Sequence, residues 1–251
     1  MDIYGLLGYP LGHSFSSRYF TEKFSAQHIA AEYRNFEFAD LSEAIEHLKS
    51  ISGLRGFNVT IPYKESVIPY LNKLSPEAAE IGAVNVVKVR INEKGDLSLH
   101  GFNTDVMGFR RSICKFLNKE THRKALVLGT GGASKAVVYG LHQSGIQTRC
   151  VSRQESKGQL TYHDLTRDIM REHLVIVNCT PLGMYPNTED APDIPYEHVG
   201  PEHVLFDLVY NPLNTQFMIK GKQNGAVVTN GLEMLHLQAD AAWDIWTNDK
   251  I

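Results

Sequence analysis

KALVLGTGGASKAVVYGLHQSG (residues 124–145) runs from an apolar strand pattern, through a glycine-rich turn, into a helical pattern. That order is what a dinucleotide-binding turn requires. Gly129 permits a tight turn and Gly131 lets the backbone approach a pyrophosphate. The exposed N–H groups of the helix start then bind the anion. The third glycine of the usual fingerprint is Ser134, a small residue but off the pattern. The plain alternative is a sharp strand-to-helix turn with no ligand. The next strand of such a unit ends in CVSRQESK (150–157), where an acidic residue would bond the ribose 2′-OH of NAD. Here Ser152, Arg153 and Lys157 gather instead, and cations favour the 2′-phosphate of NADP. Glu155 opposes that reading, since it could pair with Arg153 or repel the phosphate.

Working outward, the runs QTRCVSR (147–153), LVIVNCT (174–180), VLFDLVY (204–210) and AVVTNG (226–231) read as further strands. Upstream, IYGLLGYP (3–10) reads as a strand entering a loop. SSRYFTEKFSAQHIAAEY (16–33) has helical spacing, AEYRNFEFA (31–39) is strand-like, and LSEAIEHLKS (41–50) is an amphipathic helix. GFNVTIPYKESV (56–67) alternates Phe57, Val59, Ile61, Tyr63 and, beyond the break, Val67 as one buried face, with Pro62 interrupting the ladder. SPEAAEIGAVNVVKVRI (75–91) is a short helix, a glycine turn and a strand. VMGFRRSICKFLNK (106–119) is helical, and LEMLHLQADAAWDIW (232–246) is a helix with Met234, Leu235, Ala242, Ile245 and Trp246 as its core residues. Strands alternating with helices predict an α/β protein with a parallel sheet and a boundary near residue 105.

Composition excludes several classes. The 251 residues carry a net charge of −3 with no long basic run, which argues against nucleic acid as a partner. Cys114, Cys150 and Cys179 fit neither a disulfide framework nor a metal site, which suits a reducing, cytoplasmic home. The first residues read as a strand and loop rather than a signal peptide, and no apolar run reaches membrane-spanning length. The expectations are no metal, no membrane, and a monomer or homodimer.

Several motifs stand in one order: GYPLGHSFS (8–16), GFNVTIPYK (56–64), IGAVN (81–85), GFNTDVMGF (101–109), LGTGGASKAV (128–137), NCTPLGM (178–184) and NGLEMLHLQA (230–239). Together they closely resemble the shikimate dehydrogenases and their quinate-using relatives. The resemblance implies a mixed α/β substrate domain from residues 1–104 and 232–251, an NADP-binding Rossmann domain from 105–231, and an active site in the cleft at their boundary. It implies substrate contacts at Ser14, Ser16, Thr60, Asn85, Tyr210 and Gln238, and catalysis by Lys64 with Asp105. The cofactor set it implies is Gly129, Thr130, Gly131, Gly132, Ala133, Ser152, Arg153 and Lys157, with the Gly231 carbonyl at the nicotinamide. The chain departs from the family in three places. Ser17, Phe20 and Thr21 replace the usual continuation of HSxS, Lys135 replaces an arginine, and Pro76 stands where relatives often carry an acid.

The implied reaction reduces the ketone of 3-dehydroshikimate. Negative charge develops on the carbonyl oxygen and a proton must arrive. A fixed cation stabilises that charge and a positioned acid supplies the proton, and Lys64 can do both. A nearby Asp105 carboxylate would favour the ammonium form of Lys64 against burial, orient it, and accept a substrate hydroxyl. Each residue also has a plainer reading: Ser14 or Ser16 as a helix cap, Thr60 as a strand residue, Asn85 satisfying turn backbone, Asp105 capping a helix, Tyr210 as a core aromatic. The competing functions are a quinate/shikimate dehydrogenase and a non-catalytic sensor of the same ligands. Paired Ser14 and Ser16 favour shikimate over quinate, and intact Lys64 and Asp105 favour catalysis.

Overall fold

A computed structural model describes residues 1–12, 15–91 and 96–248. The chain divides into two compact units, Met1–Thr104 with the segment from Ala239, and Asp105–Gln238.

The first unit begins with β1 (Asp2–Gly8), α1 (Phe15–Ala26), β2 (Ala31–Glu37), α2 (Leu41–Ser50) and β3 (Leu54–Val59). It continues with β4 (Lys73–Leu74), α3 (Pro76–Ile81), β5 (Val86–Ile91) and β6 (Leu97–Phe102). The sheet order is β2-β1-β3-β5-β6-β4. β1 is parallel to both β2 and β3, whereas β5 runs antiparallel to β3 and β6 antiparallel to β5. Local chemistry sets the helix ends. Asp40 caps α2 by accepting from Glu43 N at 3.0 Å, and Ala44, Ile45 and Leu48 form its buried face. Ser75 caps α3 from Ala78 N at 3.1 Å, and Pro76 holds the first helical position, where its missing N–H costs nothing. Gly82, at φ +69°, ends that helix.

Two local expectations are corrected. The helix expected over 16–33 stops at Ala26, because Ala31–Glu37 pairs along the whole of β1. The buried face of GFNVTIPYKESV is also interrupted. β3 ends at Val59, and Ile61 is 63% exposed, while Phe57, Val59, Tyr63 and Val67 are buried. Past β3, backbone bonds still join the chain to the β1 side, Thr60 N to Leu7 O at 2.8 Å and Tyr9 N to Ile61 O at 3.1 Å, so the pairing runs up to Pro62.

The second unit contains α4 (Asp105–Ile113), β7 (Lys124–Leu128), α5 (Gly132–Gln143), β8 (Gln147–Ser152), β9 (Leu160–Thr161) and α6 (Arg167–Glu172). β10 (Val175–Asn178), β11 (Val204–Asp207), α7 (Gln216–Gln223), β12 (Val227–Thr229) and α8 (Leu232–Thr247) complete the described elements. Its sheet order is β12-β11-β10-β7-β8-β9, every pairing parallel. Strands buried on both faces need near-continuous apolar runs, and β7, β10 and β11 have them. One face packs Leu126, Leu128, Ile176, Leu205 and Phe217 together, the other Phe109, Val127, Leu141, Val177 and Phe206.

The division between units falls inside α8 rather than before it. The first turns of α8 belong with the second unit: Met234 joins its core and Glu233 pairs with Lys115 at 2.5 Å. The later turns belong with the first. Ala239, Ala242 and Trp246 pack with Tyr4, Phe20, Phe24 and Tyr33, and Trp246 Nε1 donates to Val87 O at 3.0 Å. Gly56 admits the indole, since a Cβ there would lie 2.3 Å from Nε1. Lys88, only 4% exposed, donates from Nζ to Ile245 O at 2.8 Å and Asn248 O at 2.6 Å. A cation at the carbonyl end of a helix also meets the helix dipole favourably. Lys88→Met is predicted to lower unfolding stability by about 1–3 kcal/mol, the cost of carbonyls that lose a buried donor. Urea denaturation reads this directly, and an unshifted midpoint would contradict the capping.

Candidate active site

In the first unit the sheet gathers polar residues at one end. β1 and β3 are parallel and end there, the antiparallel β5 begins there, and β6 ends there. Thr60 follows β3, Asn85 precedes β5, and Asn103 and Thr104 follow β6. The buried Asn85 amide is held by Thr104. Its Oδ1 accepts from Thr104 N at 2.7 Å, and its Nδ2 donates to Thr104 Oγ1 at 3.0 Å. Its backbone O accepts from Val59 N at 2.9 Å and from Asn58 Nδ2 at 3.3 Å. Asn58 in turn accepts from Tyr33 Oη at 2.8 Å, and the Tyr33 hydroxyl also bonds the Ser16 side chain. Burial holds the Tyr33 phenol well above its ordinary pKa, so this chain of bonds stays protonated.

Lys64 lies in the turn after β3, half-buried. Its backbone O accepts from Val84 N at 2.7 Å, which fastens that turn beside the segment leading to Asn85. Thus Thr60, Lys64, Asn85 and, through Tyr33 and Asn58, Ser16 are brought to one end of one sheet. Ser14 lies outside the described residues.

In the second unit the cofactor residues sit at the C-terminal ends of the parallel strands. The order reverses between β7 and β10, the switch point at which open α/β sheets bind ligands. Gly129 leaves β7 at φ +105°, a conformation that favours glycine. Gly131 is the N-cap of α5 and offers no side-chain acceptor to the helix N–H groups. A Cβ at Gly131 would meet nothing within 4 Å, so the backbone is open to a ligand. The off-pattern Ser134 is explained as well: it is buried and its hydroxyl donates to Gly131 O at 2.6 Å, bracing the turn. Thr130 is exposed, and Gly132 and Ala133 open α5. Ser152 ends β8 and its hydroxyl accepts from Gln154 N at 3.3 Å, while Arg153 and Lys157 are exposed beyond it. An anion-ready helix start and cations after β8 fit a dinucleotide carrying a 2′-phosphate.

Asp105 opens α4 and is 6% exposed. Tyr210 is half-buried in the loop after β11. Gln238 is buried and its Nε2 donates to Leu235 O at 3.0 Å. Gly231 lies against the same loop, where a Cβ would stand 2.3 Å from Leu208 O. Its carbonyl accepts from Leu235 N at 2.9 Å. Burial pushes the Cys179 thiol well above its ordinary value, which agrees with packing rather than reactivity.

Sequence reasoning missed a buried carboxylate. Asp207 closes β11 with no exposed surface, and burial lifts it to about 6, against the pull of its hydrogen-bond donors. All three groups bonded to its carboxyl, Asn178 Nδ2, Val209 N and Thr215 Oγ1, are donors, the set that a carboxylate anion takes. A polar residue at the end of each apolar run, Asn178 in LVIVNCT and Asp207 in VLFDLVY, was the available signal.

A parallel sheet in this order with a glycine turn at its switch point defines a Rossmann-type dinucleotide-binding unit. The family profile described as "Shikimate dehydrogenase substrate binding domain" matches residues 6–87. A shikimate dehydrogenase (NADP(+)) of Caldanaerobacter subterraneus subsp. tengcongensis is 36% identical over 98% of this chain and 92% of its own length. The crystal structure of shikimate dehydrogenase from Aquifex aeolicus superposes with a TM-score of 0.86 at 32% identity, covering 100% of this chain and 94% of that one. The Thermus thermophilus enzyme, solved in complex with NADP(H) and shikimate, gives 0.83 at 31% identity, covering 98% and 94%. The chain belongs to the shikimate dehydrogenase family.

The glycine turn makes a discriminating prediction. Gly131→Ala has room in the fold but puts a methyl where the nucleotide backbone contact belongs. Thermal unfolding should be unchanged while the Kd for NADPH rises about tenfold or more, equivalent to roughly 1.4 kcal/mol. Unchanged NADPH affinity, read by fluorescence titration, would contradict the assignment.

Proposed function

We propose that this chain is an NADP-dependent shikimate dehydrogenase, reversibly reducing 3-dehydroshikimate to shikimate on the route to chorismate and the aromatic amino acids. The observation that carries the reading is similarity along nearly the whole chain to NADP-dependent shikimate dehydrogenases, together with Lys64 intact in NVTIPYK. Substrate binding is assigned mainly to the unit of Met1–Thr104 with the segment from Ala239, and nucleotide binding to Asp105–Gln238. A cytoplasmic home suits three free cysteines and the lack, among the described residues, of any helix long and apolar enough to cross a membrane.

NADPH, when bound, supplies the hydride. The rest is the work of this chain's own side chains and backbone groups. Arg153 and Lys157, with Ser152, bind the 2′-phosphate, and the N–H groups from Gly129 to Ala133 bind the pyrophosphate. Gly231 offers its carbonyl to the nicotinamide. Ser14 and Ser16 bind the substrate carboxylate. Thr60, Asn85, Tyr210 and Gln238 fix the ring and its hydroxyls. Asp105 accepts a ring hydroxyl. The Lys64 ammonium stabilises the developing alkoxide and then gives it a proton.

Support for a fixed main chain at Lys64 comes from its backbone bond to Val84, and for a fixed Asn85 side chain from its bonds to Thr104. A residue held this way loses little entropy when substrate arrives. Lys64→Ala should lower kcat by roughly 10²–10⁴-fold with little change in KM, as expected when a positioned proton donor is removed. Nearly intact kcat with a raised KM would make Lys64 a binding residue only.

A further inference from the structure

We propose that Asp207 is a positioning residue that holds two loops of the second unit in one geometry: the turn after β10 beside the cofactor turn, and the loop after β11 that carries Tyr210. This rests on the functional reading above, which gives Tyr210 to the substrate and Gly129–Ala133 to the cofactor.

The bonds are specific. Asp207 Oδ1 accepts from Val209 N at 3.0 Å, and Oδ2 accepts from Thr215 Oγ1 at 2.6 Å. One carboxylate therefore ties both ends of the segment that contains Tyr210. Thr215 is itself fixed, because its Oγ1 also accepts from Met218 N at 3.3 Å and caps α7. Between these anchors the loop is fastened twice more. Asn230 Nδ2 donates to Leu213 O at 2.9 Å, and Tyr185 N donates to Asn211 O at 3.1 Å. The position of Gly231, packed on Leu208 O, follows from the same loop.

Asp207 also reaches the cofactor side. Oδ1 accepts a second bond, from Asn178 Nδ2 at 2.9 Å. That leaves Asn178 Oδ1 aimed at the turn after β10, where it accepts from Thr180 N at 3.0 Å and Thr180 Oγ1 at 2.6 Å. Thr180 is the wall of the glycine turn: its Cγ2 would lie 3.2 Å from a Cβ on Gly129. Asp207 and Asn178 have no exposed surface, so water does not compete for these bonds. Three donors converging on one anion define its orientation, and hydrogen bonds to a charged group are stronger and more directional than neutral ones.

The arrangement has two arms, and each can be weakened without removing the carboxylate. Thr215→Val keeps the β-branched shape and removes the bond to Oδ2 together with the α7 cap, while Val209 N stays on Oδ1. Thr180→Val removes the hydroxyl bond to Asn178 Oδ1 and leaves the bond from Thr180 N. The expected result is a split. Thr215→Val raises the KM for 3-dehydroshikimate between about threefold and tenfold, the worth of one hydrogen bond, and leaves the KM for NADPH alone. Thr180→Val raises the KM and directly titrated Kd for NADPH by a similar factor and leaves the ketone KM alone. Asp207→Ala raises both, and Asp207→Asn, which keeps the shape and the Oδ1 acceptor, recovers most of the loss. If the alanine variant does not fold, the two valine variants still decide. Both KM values unchanged, or both moving together in step with a fall in Tm, would overturn the proposal and reduce Asp207 to a structural pin. A wild-type chain that neither binds NADPH nor reduces 3-dehydroshikimate would instead overturn the functional reading, and this inference with it.

Discussion

The parallel sheet of the second unit reverses its order once, between β7 and β10, and the chemistry of that unit is organised around the reversal. Where neighbouring strands lead their connections to opposite sides, a crevice opens at the carboxyl ends. The Gly129 turn from β7 and the start of α5 lie at that reversal, the cations follow the neighbouring β8, and Gly231 follows the edge strand β12. The same economy appears in the first unit, where strand ends from β1, β3, β5 and β6 converge on Thr60, Asn85 and the Lys64 turn. Strand interiors are mostly apolar because they are buried, with Asn58 and Lys88 as hydrogen-bonded exceptions. The polar residues that do chemistry are therefore confined to the ends.

Much of this was legible in the sequence. The Gly129–Ala133 turn was readable because it needs a rare local order of strand, glycines and helix, and that order is local in the chain. Asn85 and Thr60 stood out only through the motifs GAVN and NVTIPYK. Their meaning is non-local, since a bond from Thr104 N to Asn85 and a bond from Thr60 N to Leu7 O fix them, and no periodicity announces such partners. Ile61 shows the limit of pattern reading. Alternation put it on the buried face, but β3 had ended two residues earlier and the chain turned it out to solvent. The long helix read over 16–33 failed for a tertiary reason. Pairing with β1 claimed Ala31–Glu37, overriding a helical spacing that was only local.

The buried ionic and polar groups were the least legible part. Lys88 sits in the strand run VNVVKVRI as an apparent surface residue, yet it is buried and caps α8. Asp207 and Asn178 each close an apolar strand and look like simple strand ends. Burying a carboxylate is unfavourable unless donors surround it, and Asp207 has three. A hydrophobic residue could fill the space, but it would hold neither Val209 nor Thr215. The anion is better understood as a device for geometry than as a source of stability.

The central claim, that this site reduces 3-dehydroshikimate with NADPH, is tested most directly by a four-way initial-rate comparison. NADPH and NADH are supplied at equal concentration, each with 3-dehydroshikimate and with 3-dehydroquinate. NADPH with 3-dehydroshikimate is predicted to react fastest. Faster reaction with NADH would contradict the role of Arg153, faster reaction with 3-dehydroquinate would identify a quinate enzyme, and no oxidation with either ketone would contradict catalysis itself.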